Sequence, residues 1–372
     1  MRSTQRLPVS LTPLEIALAG LLHDLVAAAP IELPLAEALG GITADMPVLA
    51  ASPSCDIAVA DGWASRARDL VGASSYTPLA LAKPPVWVEA GDAMPEGCDC
   101  VIDSDAIDRS GPMVQVLAEA IPGQGVRRVG GDIAGTRPVA AGCRVRPLDL
   151  LLARAAGLKT LNVRRPRLRI LTIPARSGGA MTAELIAESA RAAGAEVMLA
   201  EAASRDAPDI AKALVTDGCD LLISIGGSGV GRSDAAVVAL AARGEVIVHG
   251  IALQPGRTSA IGRIGNTPVI ALPGAPDQAL AAWWALGLPA LDRLSAHLPR
   301  LPVTRPLARK IASSVGIAEI VLLAIDGDAW MPLAAGEMPI ETIVRADAWR
   351  VIEGGSEGYA AGTPMDAYLV RE

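Results

Sequence analysis

Apolar residues recur at Leu14, Leu18, Leu21 and Leu25, at intervals of three and four, so the spacing predicts a helix over about Thr12 to Ala29. Thr12-Pro-Leu-Glu15 at its start reads as an N-cap followed by proline at the first helical position and a reciprocal capping glutamate. A second, shorter helical pattern covers Leu35 to Leu39. From about Met46 to Cys143 the pattern changes to short apolar runs broken by Gly, Pro and Asp, among them Val86-Trp-Val-Glu-Ala90 and Met113-Val-Gln-Val-Leu117, which is the spacing of a small β-rich domain. Leu148 to Leu158 returns to a helical period. The β-rich part therefore reads as an insertion between two pieces of one helical unit, and Arg164-Arg-Pro-Arg167 as a solvated linker beyond it.

Strand and helix periods then alternate: strands over Leu168 to Thr172, Glu196 to Ala200, Asp220 to Ile225, Val246 to Val248 and Val269 to Leu272, with helices over about Thr182 to Ala193, Pro208 to Thr216 and Asp277 to Leu288, and one after Asp234. Such alternation predicts a mostly parallel sheet with helices on both faces, whose ligands gather at the carboxyl ends of the strands. From Leu301 short strands return at Ile320 to Ile325, Trp349 to Ile352 and Ala367 to Val370, separated by Gly-rich turns. The expected fold class is multidomain α/β plus β. Residues 1–45 and 144–166 form a helical linking unit, 46–143 an inserted β-rich domain, 167–299 the mostly parallel α/β domain and 300–372 a small C-terminal β domain.

The most informative stretch is Asp220-Leu-Leu-Ile-Ser-Ile-Gly-Gly-Ser-Gly-Val-Gly-Arg-Ser-Asp234, an apolar run that breaks into four glycines and then into polar residues. It reads as strand, tight loop and helix start. Gly226, Gly227, Gly229 and Gly231 allow positive φ and close backbone approach, and free N–H groups at a helix start favour an anion. The order G-x-G-x-G is not the dinucleotide fingerprint, and no lysine stands where a P-loop needs one. Taken alone, the glycine spacing favours a structural turn over a ligand loop. Gln254-Pro-Gly-Arg257 and Leu272-Pro-Gly-Ala-Pro276, each closing a strand-like run in the same stretch, tilt the reading toward a ligand.

Length and charge narrow the classes. The 372 residues suffice for two to four domains. A net charge of -7 offers no basic stripe for nucleic acid. Aromatic residues make up 2% with no Phe, so aliphatic packing carries the cores. No apolar run reaches the length of a membrane helix, and Glu15 and Asp24 interrupt the early one, which argues against a signal peptide. Five scattered cysteines, Cys55, Cys98, Cys100, Cys143 and Cys219, suit a reducing cytoplasm better than a disulfide framework. Cys98-x-Cys100 lies in an apolar run with no second Cys or His cluster to complete a metal site. His23, His249 and His297 lack ligand spacing, His23 in a helical pattern and His249 at a strand end read as structural, and no nucleophile elbow is present, which argues against a hydrolase.

The order G-G-S-x-V-G-x-x-D, then x-P-G-R, then G-R-I-G-x-x-P-V-x-x-L-P-G-x-P resembles the molybdopterin molybdenumtransferase family, whose eukaryotic relative is the E domain of gephyrin. The likeness runs nearly the whole length. Leu35-Ala-Glu-Ala-Leu-Gly40 is similar to the family's early helix and Cys55-Asp-Ile-Ala-Val-Ala-Asp-Gly-Trp-Ala64 to its F-D-N-S-A-M-D-G-Y-A segment. Gly91-Asp-Ala-Met-Pro-Glu-Gly-Cys-Asp-Cys100 stands where the family has T-G-A-x-x-P-x-G-A-D-A, and Val126-Arg-Arg-Val-Gly-Gly-Asp-Ile133 where it has N-V-R-x-x-G-E-D-I.

The resemblance implies insertion of molybdate into adenylated molybdopterin with release of AMP, magnesium as cofactor, and a homodimer in the cytoplasm. A molybdoenzyme and an upstream adenylyltransferase are the implied partners. Carried over residue by residue, Asp61, Asp132 and Asp234 are the expected catalytic acids, and Asp61, Asp206 and Asp234 the expected metal ligands. Gly226, Gly227, Ser228, Gly229, Gly231, Arg257, Pro273 and Gly274 are expected to hold the pterin nucleotide. Taken alone, each acid also reads as an ordinary loop carboxylate, and Asp234 as a cap of the next helix. Several positions depart from the family. Its T-G-D-E is Ile173-Pro-Ala-Arg176, its D-S-N is Ala180-Met-Thr182, and the threonine of its T-G-A is Ala90. The lysines of K-P-G-K-P are Gln254 and Arg257, and the asparagine of L-P-G-N-P is Ala275. The alternative is therefore a catalytically impaired protein of the same fold that binds molybdopterin or a nucleotide as a carrier or scaffold.

Overall fold

The computed structural model describes residues 5–111, 113–174 and 179–370, which divide into two compact units. One comprises residues 1–45, 141–146 and 162–372, the other 46–140 and 147–161.

The larger unit holds the α/β layer. In chain order its elements are β1 (Thr12–Pro13), α1 (Leu14–Leu22), β2 (Arg167–Thr172), α2 (Gly179–Ala192), β3 (Glu196–Glu201), α3 (Ala207–Ala213), β4 (Leu221–Ile225) and α4 (Ala236–Arg243). After them come β5 (Glu245–His249), β6 (Ile251–Gln254), β7 (Ala260–Ile264), β8 (Thr267–Leu272), α5 (Pro276–Ala282) and α6 (Leu288–Ser295), the last two joined by a π-helical turn at Trp283–Gly287. The main sheet runs β3-β2-β4-β8-β7-β5. The four strands from β3 to β8 are parallel, while β7 and β5 add antiparallel pairs at one edge. Every residue of β4 is buried, as a parallel strand covered on both faces requires.

A second sheet in the same unit contains the C-terminal strands Val303–Pro306, Ala318–Asp326, Ala329–Ala335, Ala348–Ile352 and Pro364–Leu369. It is extended by β6, parallel to Ala318–Asp326, and by β1, parallel to β6. The core joins the layers: Leu14 and Leu21 of α1, Ile170, Ile223, Ile270 and Trp283 belong to one buried cluster that reaches Ile320 and Trp349. Trp284 stacks on Trp349 with ring centroids 4.9 Å apart and planes 7° from parallel.

The smaller unit is built of short strands, with sheets of three formed by Val86–Val88, Gly62–Ser65 and Cys100–Ile102 and by Ser74–Ala80, Gln115–Ala118 and Ile107–Asp108. Ala67, Leu70, Cys100, Ile102 and Val116 belong to one buried cluster of this unit. All five cysteines are free thiols. Burial, with Asp99 and Cys98 alongside, pushes the Cys100 thiol up to about 11. Among the described residues no helix is long and apolar enough to cross a membrane.

Three local expectations are corrected. The first helix stops at Leu22, because Asp24 adopts a left-handed φ of 57°. Its N-cap is Pro13 without a side-chain bond, since Thr12 instead enters the sheet. Leu35 to Leu39 is a turn, as suits a segment barely longer than the costly first helical turn.

Trp283 is 1% exposed in the joining cluster, and Trp283→Ala is expected to lower unfolding free energy by about 3–5 kcal/mol, measured by urea denaturation.

Candidate functional site

Adjacent parallel strands β4 and β8 end side by side, and each runs straight into a glycine turn. Gly226 and Gly227 take φ of 93° and 67°, which reverses the chain at the end of β4 where a side chain would be strained. Gly226 N–H donates to Leu272 O at 3.0 Å, tying this turn to the end of β8. The second turn, Pro273-Gly274, is held by the buried Thr182 hydroxyl of α2, which donates to Gly274 O at 2.8 Å. Between the turns lies a cavity of about 310 Å3 lined by Gly226 to Gly229, Pro273 to Ala275, Ile173, Ile225, Arg205, Asp234, Thr258 and Gln278.

Arg205 and Asp234 form one wall. Arg205 Nη2 donates to Asp234 Oδ1 at 2.9 Å, and its Nη1 donates to Pro174 O at 2.6 Å. Asp234 Oδ2 accepts from Gly231 N–H at 2.9 Å. Both oxygens of Asp234 are thus engaged, and the N-cap of α4 falls on Ala235 with no side-chain cap. The pair also borders a second cavity of about 350 Å3, where Asp206 and Arg232 appear.

Three features make the first cavity suited to an anion. Ser228 is fully buried and its hydroxyl has no partner; Arg205 Nε is likewise buried without one. Among the described residues no acceptor meets the N–H groups of Ser228, Gly229 and Val230. Orphaned buried donors are costly unless something accepts from them. Among the described residues the one carboxylate lining the cavity, Asp234, is paired with Arg205.

Gly226, Gly227, Ser228, Gly229, Asp234, Pro273 and Gly274 are thus brought together around this cavity. Gly231 lies outside it but bonds Asp234, and Arg257 is exposed on the turn after β6, one residue before the lining Thr258. Asp206 is exposed at the N-cap of α3. Asp61 and Asp132 belong to the smaller unit and are exposed there: Asp61 Oδ1 accepts from Ala90 N–H at 2.8 Å, and Asp132 pairs with Arg127 at 3.2 Å. Among the described residues no three His, Cys, Asp or Glu side chains gather as a metal site. The described acids within either unit thus make no closed metal site by themselves, and a magnesium ion there would need substrate oxygens to complete its shell. Arg176 lies outside the described residues, as do the surroundings of the Ala180 side chain. The residues that sequence reasoning missed are Arg205, Thr258 and Gln278. Only Arg205 had a signal, as a cation beside the singled-out Asp206.

Residues 12–157 match the family described as "MoeA N-terminal region (domain I and II)", and residues 181–293 the family described as "Probable molybdopterin binding domain". Molybdopterin molybdenumtransferase 2 of Mycobacterium tuberculosis is 30% identical over 73% of this chain and 76% of its own length. The chain belongs to the molybdopterin molybdenumtransferase family. A further member, the molybdopterin molybdenumtransferase of Synechococcus elongatus, is 25% identical over 84% of this chain and 88% of its own. The fold is that of the molybdopterin biosynthesis moeA protein from Pyrococcus horikoshii OT3, with a TM-score of 0.74 at 22% identity, over 97% of this chain and 100% of that one. The glycine loop and the Pro273-Gly274 turn of this molybdenumtransferase family member both fall inside the second matched region.

Side chains of Arg205 and Asp234 are 26% and 18% exposed. A double-mutant cycle of Arg205→Met and Asp234→Asn is expected to give a coupling energy of about 1 kcal/mol by urea denaturation, weakening as salt rises.

Proposed function

We propose that the protein inserts molybdate into adenylated molybdopterin with release of AMP, in the biosynthesis of molybdenum cofactor. The observation that carries this reading is the set of unsatisfied donors around one cavity in a chain of this family: the Ser228 hydroxyl, the Ser228 and Gly229 N–H groups and Arg205 Nε. A phosphate of the adenylated pterin, or the molybdate oxyanion, supplies the acceptors those donors lack. Arg257, with no side-chain partner among the described residues, is assigned to a second phosphate contact beside Thr258.

Asp61, Asp132 and Asp234 are assigned to catalysis, with Asp61, Asp206 and Asp234 toward the metal. Magnesium is the metal that the family resemblance implies. The four-part division at residues 46, 144, 167 and 300, a homodimer, a cytoplasmic location, and exchange of substrate and product with an adenylyltransferase and a molybdoenzyme complete the proposal.

The test is molybdate-dependent AMP release, measured beside molybdopterin affinity. Wild type is expected to show both. Binding without AMP release would replace the enzyme by a carrier, and absence of binding would remove both readings. Asp61→Asn and Asp234→Asn should each lower AMP release by roughly tenfold or more with affinity changed far less, since a charge acting only in transfer leaves ground-state binding intact.

Gly229→Val offers a separate check. A Cβ at Gly229 would stand 2.6 Å from Asp234 Oδ2, so the substitution forces loop and carboxylate apart. Pterin binding should be abolished while the circular-dichroism spectrum stays that of wild type; unchanged binding would reduce the loop to a turn.

A further inference from the structure

The donors of the glycine loop point as they do because two side chains hold the other face of the same peptides. Gln5 is 7% exposed. Its Nε2 donates to Gly227 O at 2.7 Å and also to Gly229 O, and its Oε1 accepts from Val237 N–H at 3.3 Å. Val237 is in the first turn of α4, where N–H groups have no partner within the helix, and Ala235 at the N-cap has no oxygen to offer. Gln5 thus supplies a cap from 232 residues away. His249, the last residue of β5, donates from Nε2 to Ser228 O at 3.0 Å; a carbonyl can only accept, which fixes the Nε2–H tautomer.

Three consecutive carbonyls are therefore held by side chains. In a trans peptide the carbonyl and the following N–H are antiparallel. Holding Gly227, Ser228 and Gly229 by their oxygens turns the N–H groups of Ser228, Gly229 and Val230 to the opposite face. Those are the groups without an acceptor among the described residues.

The segment carrying Gln5 is itself fixed beside His249. Leu7 and Pro8 lie over Gly250, where a Cβ would come within 2.9 Å of Leu7 and 3.0 Å of Pro8, and Thr12 N–H donates to Gly250 O at 3.0 Å.

We infer that Gln5 and His249 are positioning residues of the ligand loop: they touch no ligand, and they set the direction of the N–H groups that receive its anionic part. The inference rests on the proposed site. A purely structural role would cost stability alone, whereas positioning predicts a selective loss of affinity in molecules that remain folded.

The test uses the full chain with Gln5→Met, which keeps length and loses the amide; Gln5→Glu, which sets an oxygen against two carbonyls; His249→Ala; and His249→Gln, which can restore a donor. In ligand-free protein, hydrogen exchange across residues 226–240 should rise several-fold in the first three and stay near wild type in His249→Gln. Molybdopterin dissociation constants should rise about tenfold in the first three, with KM following and kcat at saturation within about twofold, and His249→Gln should recover most of the loss. Unchanged loop exchange, or affinity within twofold of wild type in the folded variants, overturns the inference. A wild type that binds no molybdopterin sinks the proposed function instead, and loop exchange alone then decides whether Gln5 and His249 hold the loop.

Discussion

A peptide plane presents its carbonyl and the next N–H on opposite sides, and the candidate site depends on that constraint. An anion-binding loop needs several N–H groups facing one way, which leaves as many carbonyls facing the other, where each must be satisfied or pay for its burial. In a helix the carbonyls go to the next turn. Between β4 and α4 only Gly227 O is met by the following helix, from Ala236 N–H at 2.9 Å, and the chain provides Gln5 and His249 to hold the loop carbonyls together. The extension of the second sheet by β1 and β6 serves the same end, because Thr12 pairs with Ile251 and so brings the segment bearing Gln5 alongside Gly250.

The parallel strands were legible because burial on both faces leaves continuous aliphatic runs. Leu168 to Thr172, Asp220 to Ile225 and Val269 to Leu272 each became a strand within a residue or two of the expected ends. Strand β6 was read only as the strand-like run that Gln254-Pro-Gly-Arg257 closes, and β7 was not read. Their apolar residues flank Gln254-Pro-Gly-Arg257, and the punctuation of that turn masks four- and five-residue runs on either side. The helix around Leu35 failed for the opposite reason, since a favourable composition over five residues cannot offset helix nucleation.

The glycine loop was legible as a loop, and the meeting of Gly226 to Gly229 with Pro273-Gly274 follows from two strands ending side by side. What holds the loop was not legible. Contacts 222 residues apart, such as that of Gln5 with Gly227, leave no periodic trace in one sequence. His249 read as structural from its place at a strand end; it makes a structural contact whose consequence lies in the direction of an N–H group.

Arg205 changes how the acids are understood. An unpaired aspartate beside an anion site would repel the anion and invite a cation. Asp234 instead has one oxygen on Arg205 and the other on Gly231 N–H, and neither the guanidinium nor the carboxylate is widely exposed. Removing the arginine would leave a partly buried charge with a single backbone donor, so the pair stands as a unit in which Arg205 permits Asp234 to sit next to a negatively charged ligand. With Ile173 and Ala275 standing where the resembled family has threonine and asparagine, the wall of this cavity has lost two side chains that could both donate and accept. The groups that remain to grip an anion do so without net charge, because they are backbone amides, a hydroxyl and one paired guanidinium.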